Sequence, residues 1–195
     1  MKHAITLFID KAEEMLREVS PIADLSNDGP SEFAGAIEAW LIRAEDLFKQ
    51  YNQGEQALLA AIRPSVKLAG SPGAIDDGES ISGRRKKRKR LLTEHLNQSV
   101  DYFYRAYTRE KAKVEEAREL VRQVILVALQ SGLLNNLPPG SFTGSEQLVS
   151  IQAQLYADAE LRKGINRVLS IVAYPDLLRL IDETLNDILQ ANTTH

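Results

Sequence analysis

The chain has 195 residues, 44% of them apolar, and a formal net charge of −3, which suits one domain, or one domain with an appendage, built around a sizeable core. It contains no cysteine, which excludes disulfides, thiolate metal sites and a cysteine nucleophile and fits a reducing compartment. Aromatic residues make up only 6%, so Leu, Ile, Val and Ala must fill most of the interior.

The apolar run in the first ten residues is too short for a signal peptide, and acidic residues follow it at once. Ile5, Phe8, Ala12, Met15, Leu16 and Val19 recur at steps of three and four, which predicts an amphipathic helix stopped by Pro21. Asn27-Asp28-Gly29-Pro30 is a turn signal, and Ser31 is a suitable N-cap for the next helix. That helix carries the stripe Phe33, Ile37, Trp40, Ala44, Leu47 and Tyr51, whose phase runs on past Gly54 to Leu58 and Ile62. The pattern fits either one helix over 31–62 with a weak point or two helices meeting at Gly54. Pro64 should end or kink it.

Residues 70–83 lack periodicity and have little to bury, so they read as a flexible loop and the first site of proteolysis. Between Arg84 and Ser131 there is neither glycine nor proline, and Leu92, His95 or Leu96, Ser99, Phe103, Ala106, Glu110, Val114, Ala117, Val121, Ile125 and Ala128 keep a helical phase. A single helix here would be about 65–70 Å long, so its basic end should project or the helix should break once. The stretch Val121 to Leu129 is apolar on most sides and is placed at the centre of the bundle, yet it contains Arg122 and Gln123 and is far below membrane-spanning length. After a loop around Pro138-Pro139-Gly140, Ser145 caps a helix with Leu148, Gln152, Leu155, Ala159 and Arg162 on one face, with Gly164 as a possible break. Val168, Leu169 and Val172 lead to Pro175, and Leu177, Leu178, Ile181, Leu185, Ile188 and Leu189 mark a last amphipathic helix. The expected fold is therefore all-α: one helical domain over 1–195, a bundle of five to seven helices with one long central helix.

The most unusual segment is Arg84-Arg85-Lys86-Lys87-Arg88-Lys89-Arg90. Seven adjacent cations repel one another and cannot all be buried or paired in one small domain. The run is a local concentration of charge: residues 1–60 carry 11 acidic and 5 basic side chains, a balance of −6, whereas residues 84–122 carry 13 basic and 6 acidic, a balance of +7. Such a segment can bind phosphates independently of sequence. Tyr102, Tyr104 and Tyr107, interleaved with Arg105 and Arg109, add groups that can stack bases and hold phosphates. The run lacks an adjacent insertion face of Trp, Phe or Leu, which disfavours a membrane surface. The bland alternative is a solvated helix start with Phe103 and Tyr107 in the core.

Arg90 and His95 form an Arg-x-x-x-x-His spacing at a helix start. This resembles the Arg-x(4–6)-His motif of HEPN-type ribonucleases, which are helical bundles. The resemblance covers two residues, and Leu91 follows the arginine where that family usually has a polar residue such as Asn. It implies a metal-independent cut of RNA, with His95 acting on a 2′-hydroxyl and Arg90 on phosphorane charge. The other reading of His95 is a residue packed at a helix interface.

His3, His95 and His195 have no second histidine or carboxylate at ligand spacing, and Glu115, Glu116 and Glu119 lie within reach of Arg118 and Arg122, as in solvated ion pairs. Neither a metal, nor a cofactor, nor a small-molecule substrate, nor a familiar catalytic constellation is evident. The function that best fits is a cytoplasmic, non-catalytic interaction or adaptor protein that associates with another protein or with itself. Its basic segment would bind an anionic partner, most plausibly nucleic acid, through Arg84 to Arg90 with Tyr104, Arg105, Tyr107 and Arg109. The alternatives are the HEPN-like ribonuclease and a purely protein-binding or oligomerising module in which the basic run docks on an acidic surface.

Overall fold

A computed structural model of the chain describes residues 3–71, 80–134 and 145–193. The fold is all-α, with one long central helix and no strand among the described residues. The helices are α1 (Ile5–Arg17), α2 (Val19–Asp24), α3 (Pro30–Gln50), α4 (Gln56–Gly70), α5 (Ile81–Gln130), α6 (Ser145–Ala157), α7 (Ala159–Ile171) and α8 (Tyr174–Thr193), with a 3-10 turn at Leu25–Asn27. Glu18, between α1 and α2, keeps right-handed helical angles, so these two are one rod with a fault in it. Two compact units result: one built on Phe8–Arg109, the other on the residues before Phe8 together with those from Glu110 onward.

In the first unit, Phe8, Trp40, Phe48 and Phe103 supply the large side chains of the core, all at most 1% exposed. Phe103 lies 5.2 Å from the Trp40 ring and 5.1 Å from Phe48, nearly parallel to the latter. Phe8 reaches both Phe48 and the half-buried Tyr51. These contacts join α1, α3 and α5 at one level, and edge or offset ring contacts of this kind add to burial. The indole N–H of Trp40 donates to the Met15 carbonyl at 3.0 Å, next to the fault at Glu18. That fault precedes Pro21, which is the third residue of α2 and does not end the rod. A proline removes the bond to the carbonyl four residues earlier, here Arg17, and its ring crowds that carbonyl, so the irregularity falls upstream.

The 31–62 stripe is two helices. α3 ends in a Schellman arrangement in which Gln53 N–H donates to Phe48 C=O and Asn52 N–H to Lys49 C=O, with Asn52 in the left-handed region at φ 58°. The break is thus made by Asn52 and not by Gly54. Ser31 is not the N-cap of α3: Gly29 precedes Pro30 at N1, and the Ser31 hydroxyl donates instead to Gly70 C=O. Pro64 does not end α4, which continues to Gly70. Pro64 and Ala60 are both exposed, so the carbonyl that the proline frees faces water. α3 and α4 pack antiparallel and very close at Gly70, where an added Cβ would lie 2.4 Å from Ala34 Cβ.

Of the expected loop at 70–83, Gly70 belongs to α4 and Ile81 to Gly83 begin α5, while 72–79 lie outside the described residues. α5 neither breaks nor starts at Arg84. It is 50 residues long, about 75 Å at 1.5 Å per residue. Leu92, Leu96, Ser99, Phe103, Ala106, Glu110, Val114, Ala117, Val121, Ile125 and Ala128 are all buried, as their phase requires. Glu110 is held by Lys113, whose ammonium donates to both carboxylate oxygens at 3.0 Å. α5 closes with Gly132 at φ 78° and Leu133 N–H on Ala128 C=O.

The second unit packs the later part of α5 with α6, α7 and α8. Val121, Val124, Ile125 and Ala128 are buried, but Leu126 is 39% and Val127 51% exposed, so the Val121–Leu129 stretch is one-faced and not enclosed. The expected face over Leu148, Gln152, Leu155, Ala159 and Arg162 is divided. α6 buries Ile151 and Leu155, then Asp158 caps α7 by accepting from Glu160 N–H and Leu161 N–H, and α7 buries Leu161, Ile165 and Val168. Gly164 does not interrupt α7; it lets the helix approach Val124, whose Cγ2 would sit 2.5 Å from an added Cβ. α8 buries Leu177, Leu180, Ile181 and Leu185. Its Asp176 is fully buried and accepts from Ala173 N–H at the start of its own helix and from Ile5 and Thr6 at the start of α1.

Candidate anion-binding face

The first turns of α5 contain the whole basic run. A helix N-terminus already carries partial positive charge, so seven cations there are locally unfavourable unless carbonyls or carboxylates compensate them. Arg85, Arg88 and Lys89 find backbone or amide oxygens. Arg88 forks onto the C-terminal end of α4: its Nε donates to Ala69 C=O at 2.7 Å and its Nη2 to Gly70 C=O. These carbonyls lie at the negative end of the α4 dipole, so the guanidinium both satisfies them and meets favourable charge. Arg85 donates to Asp28 C=O, and Lys89 Nζ donates to Asn27 Oδ1 at 3.0 Å, both on the turn before α3. The basic end of α5 is therefore tied down and does not simply project.

The remaining exposed surface is narrower than the sequence suggests. Lys86 and Arg90 are exposed, four residues apart on one face. Together with Lys87, Lys89 and Thr93 they border an open hollow. Arg90 makes a loose ion pair with Glu94, one helical turn further on, at 3.5 Å and with both side chains largely in solvent. Such a pair is worth little and gives way readily to a stronger anion. Arg84 and Lys87 are half-buried.

The four residues expected to extend the site separate into two kinds. Tyr104 is 53% exposed and Arg105 is exposed beside it. Tyr107 is only 7% exposed, and its hydroxyl donates to Glu13 at 2.7 Å. Arg109 donates to Glu55 and to Gln53, pinning the start of α4. The guanidinium hydrogen bonds hold the Glu55 carboxyl below its ordinary range. Tyr107 and Arg109 are thus part of the scaffold, whereas Tyr104 and Arg105 face solvent. Helical geometry places Tyr104 at the same azimuth as Lys86, since their 18-residue separation is a whole number of turns, about 27 Å along the axis.

Arg90 and His95 are five residues apart, which puts them about 140° apart around the helix. Arg90 is exposed and His95 half-buried, and the His95 carbonyl accepts the Ser99 hydroxyl. In the second unit, Arg118 donates to Glu115 and Glu183, and Arg179 donates to Glu183. Burial pushes the Glu183 carboxyl up, but the two guanidiniums outweigh it and hold it below its ordinary range. Among the described residues, no group of three or more His, Asp or Glu side chains is arranged to hold a metal ion, and no helix is long and apolar enough to cross a membrane.

The Asp176 clasp carries no sequence signal of function. Its one legible hint is Pro175-Asp176 at a helix start, where a proline and an acidic residue favour the N-terminus. Nothing in the pattern of the first ten residues reveals their tie to α8. Comparison with known proteins finds no matching family model, no matching curated protein and no matching solved structure.

Proposed function

We propose that this protein is a non-catalytic helical interaction module whose cationic face at the start of α5 binds an anionic partner, with nucleic acid favoured. The observation that carries this reading is the division of labour within the basic run. Arg85, Arg88 and Lys89 fasten the first turns of α5 to α4 and to the turn at Asn27-Asp28, while Lys86 and Arg90 remain outward on one side. Cations held on an anchored helix lose little further backbone freedom on binding, which favours association. Phosphate is the matching ligand because these contacts are electrostatic and independent of sequence.

The test is fluorescence anisotropy of labelled nucleic acid with wild-type protein and with Lys86→Ala/Arg90→Ala, across a salt series. The expected result is binding that weakens steeply with salt, and a double variant with lower affinity and a shallower salt slope. Equal affinity and slope for the two proteins would overturn the reading.

A further inference from the structure

Resting on that reading, we infer that the ligand is single-stranded nucleic acid lying along the exposed ridge of α5, with phosphates at Lys86 and Arg90 and a base stacked on Tyr104. Two observations point this way. First, the cationic lining is small: Lys86, Lys87, Lys89 and Arg90 border the hollow, while Arg85 and Arg88 turn to the carbonyls of Asp28 and Ala69 and Arg109 is committed to Glu55. Duplex binding driven by phosphates alone draws on many such contacts, typically six or more for a strong salt-sensitive complex. The cations on this face, Lys86, Lys87, Lys89 and Arg90 with Arg105 further along, fall short of that number.

Second, Tyr104 is the one exposed aromatic ring among the described residues of the Phe8–Arg109 unit. It shares the azimuth of Lys86, and Tyr107 supports it from behind, ring to ring at 5.9 Å. A ring standing in water with Arg105 next to it offers a π-face to an unpaired base, and stacking of this kind is tolerant of sequence. A duplex hides its base faces and gains nothing from the ring. The outward residues between the two ends, Thr93 and Asn97, are polar and exposed, while Glu94 and Asp101 flank the ridge on one side and bound it there. The track is thus a line and not a broad patch, which suits one strand.

The experiment measures anisotropy of a short labelled oligothymidylate and of a labelled duplex of equal length with wild type, Tyr104→Leu, Tyr104→Phe and Lys86→Ala/Arg90→Ala. Far-UV circular dichroism of each variant checks that the helices are intact. The expected result is tighter binding of the single strand. Tyr104→Leu should weaken it roughly tenfold and leave duplex affinity unchanged, and Tyr104→Phe should restore it. If single strand and duplex bind alike and Tyr104→Leu changes neither, the single-strand track is wrong, while loss of both in the Lys86/Arg90 variant keeps the cationic-face reading. If neither nucleic acid binds at low salt, both readings fall.

Discussion

Thr6 and Asp176 lie 170 residues apart in the sequence and meet in a hydrogen bond of 2.6 Å, from Thr6 Oγ1 to Asp176 Oδ1. The same oxygen accepts from Thr6 N–H at 3.0 Å, and the second oxygen accepts from Ile5 N–H and Ala173 N–H. One buried carboxylate thus satisfies orphan donors at the start of α1 and α8, where both helix dipoles favour negative charge. Asp176→Ala would strand these donors without water. It should lower the unfolding free energy by about 3 kcal/mol. Asp176→Asn, which keeps one acceptor oxygen, should cost less. Urea denaturation measures both, and a loss below about 0.5 kcal/mol for the alanine variant would show that the clasp contributes little.

Two glycines give opposite expectations. At Gly70 an added Cβ would collide with Ala34 Cβ at 2.4 Å, whereas at Gly35, exposed within α3, it would meet nothing within 4 Å. Gly70→Ala must push α3 and α4 apart and should destabilise by about 1–3 kcal/mol. Gly35→Ala should stabilise by about 0.5–1 kcal/mol through its better helix propensity. Thermal unfolding of the pair decides this, and the same sign for both would contradict the packing described.

Within the basic run, stability and binding should separate. Arg88→Ala removes the fork on Ala69 and Gly70 and should cost about 1 kcal/mol or more, since two carbonyls at a helix end lose a charged donor. Lys86→Ala should change stability by less than about 0.5 kcal/mol. Equal destabilisation by the two would mean that Arg88 is no more structural than its neighbours.

Acid should loosen the fold partly through Glu55 and Glu183. Hydrogen bonds from Arg109 lower the Glu55 carboxyl, and at Glu183 burial acts upward but Arg118 and Arg179 prevail. Both groups bind a proton less readily when folded than when unfolded. Their contribution is therefore complete above the unfolded value, about 4.3, and is lost as pH falls through the lower folded values. In Arg109→Ala the larger share of the Glu55 part disappears, the backbone hydrogen bond at Glu55 remaining. Urea midpoints of wild type and variant should differ at about pH 6 and converge as pH falls below the unfolded value. Because the Arg109–Glu55 pair is partly in solvent, the gap should also narrow in high salt. A gap that is constant with pH would assign the effect to lost packing instead.

The sequence reveals those features that periodicity and composition control. The apolar phase of α5 from Leu92 to Ala128 predicts its buried face residue by residue, because one long helix with no glycine or proline leaves the pattern undisturbed. Boundaries were less legible where several residues could make them. Gly54 and Pro64 look like breakers, yet Asn52 takes the left-handed position and Pro64 faces water within α4. Ser31 looks like a cap, but Pro30 occupies the first helical position and the hydroxyl turns to Gly70. The candidate site was half legible. A run of cations announces itself, but the partition into anchored Arg88 and outward Lys86, or into buried Tyr107 and exposed Tyr104, depends on contacts between residues 18 to 94 positions apart. No local pattern encodes those.

The Arg88 fork also bears on how the basic run can change over evolutionary time. Only a guanidinium offers two donors set to grip adjacent carbonyls, and a lysine at that position would reach one of them with a single point charge. Lys86, which makes no such grip, can exchange with arginine freely. Among descendants of this chain, position 88 should stay arginine while position 86 drifts between the two cations, so that a segment uniform in charge would carry two different rates of substitution.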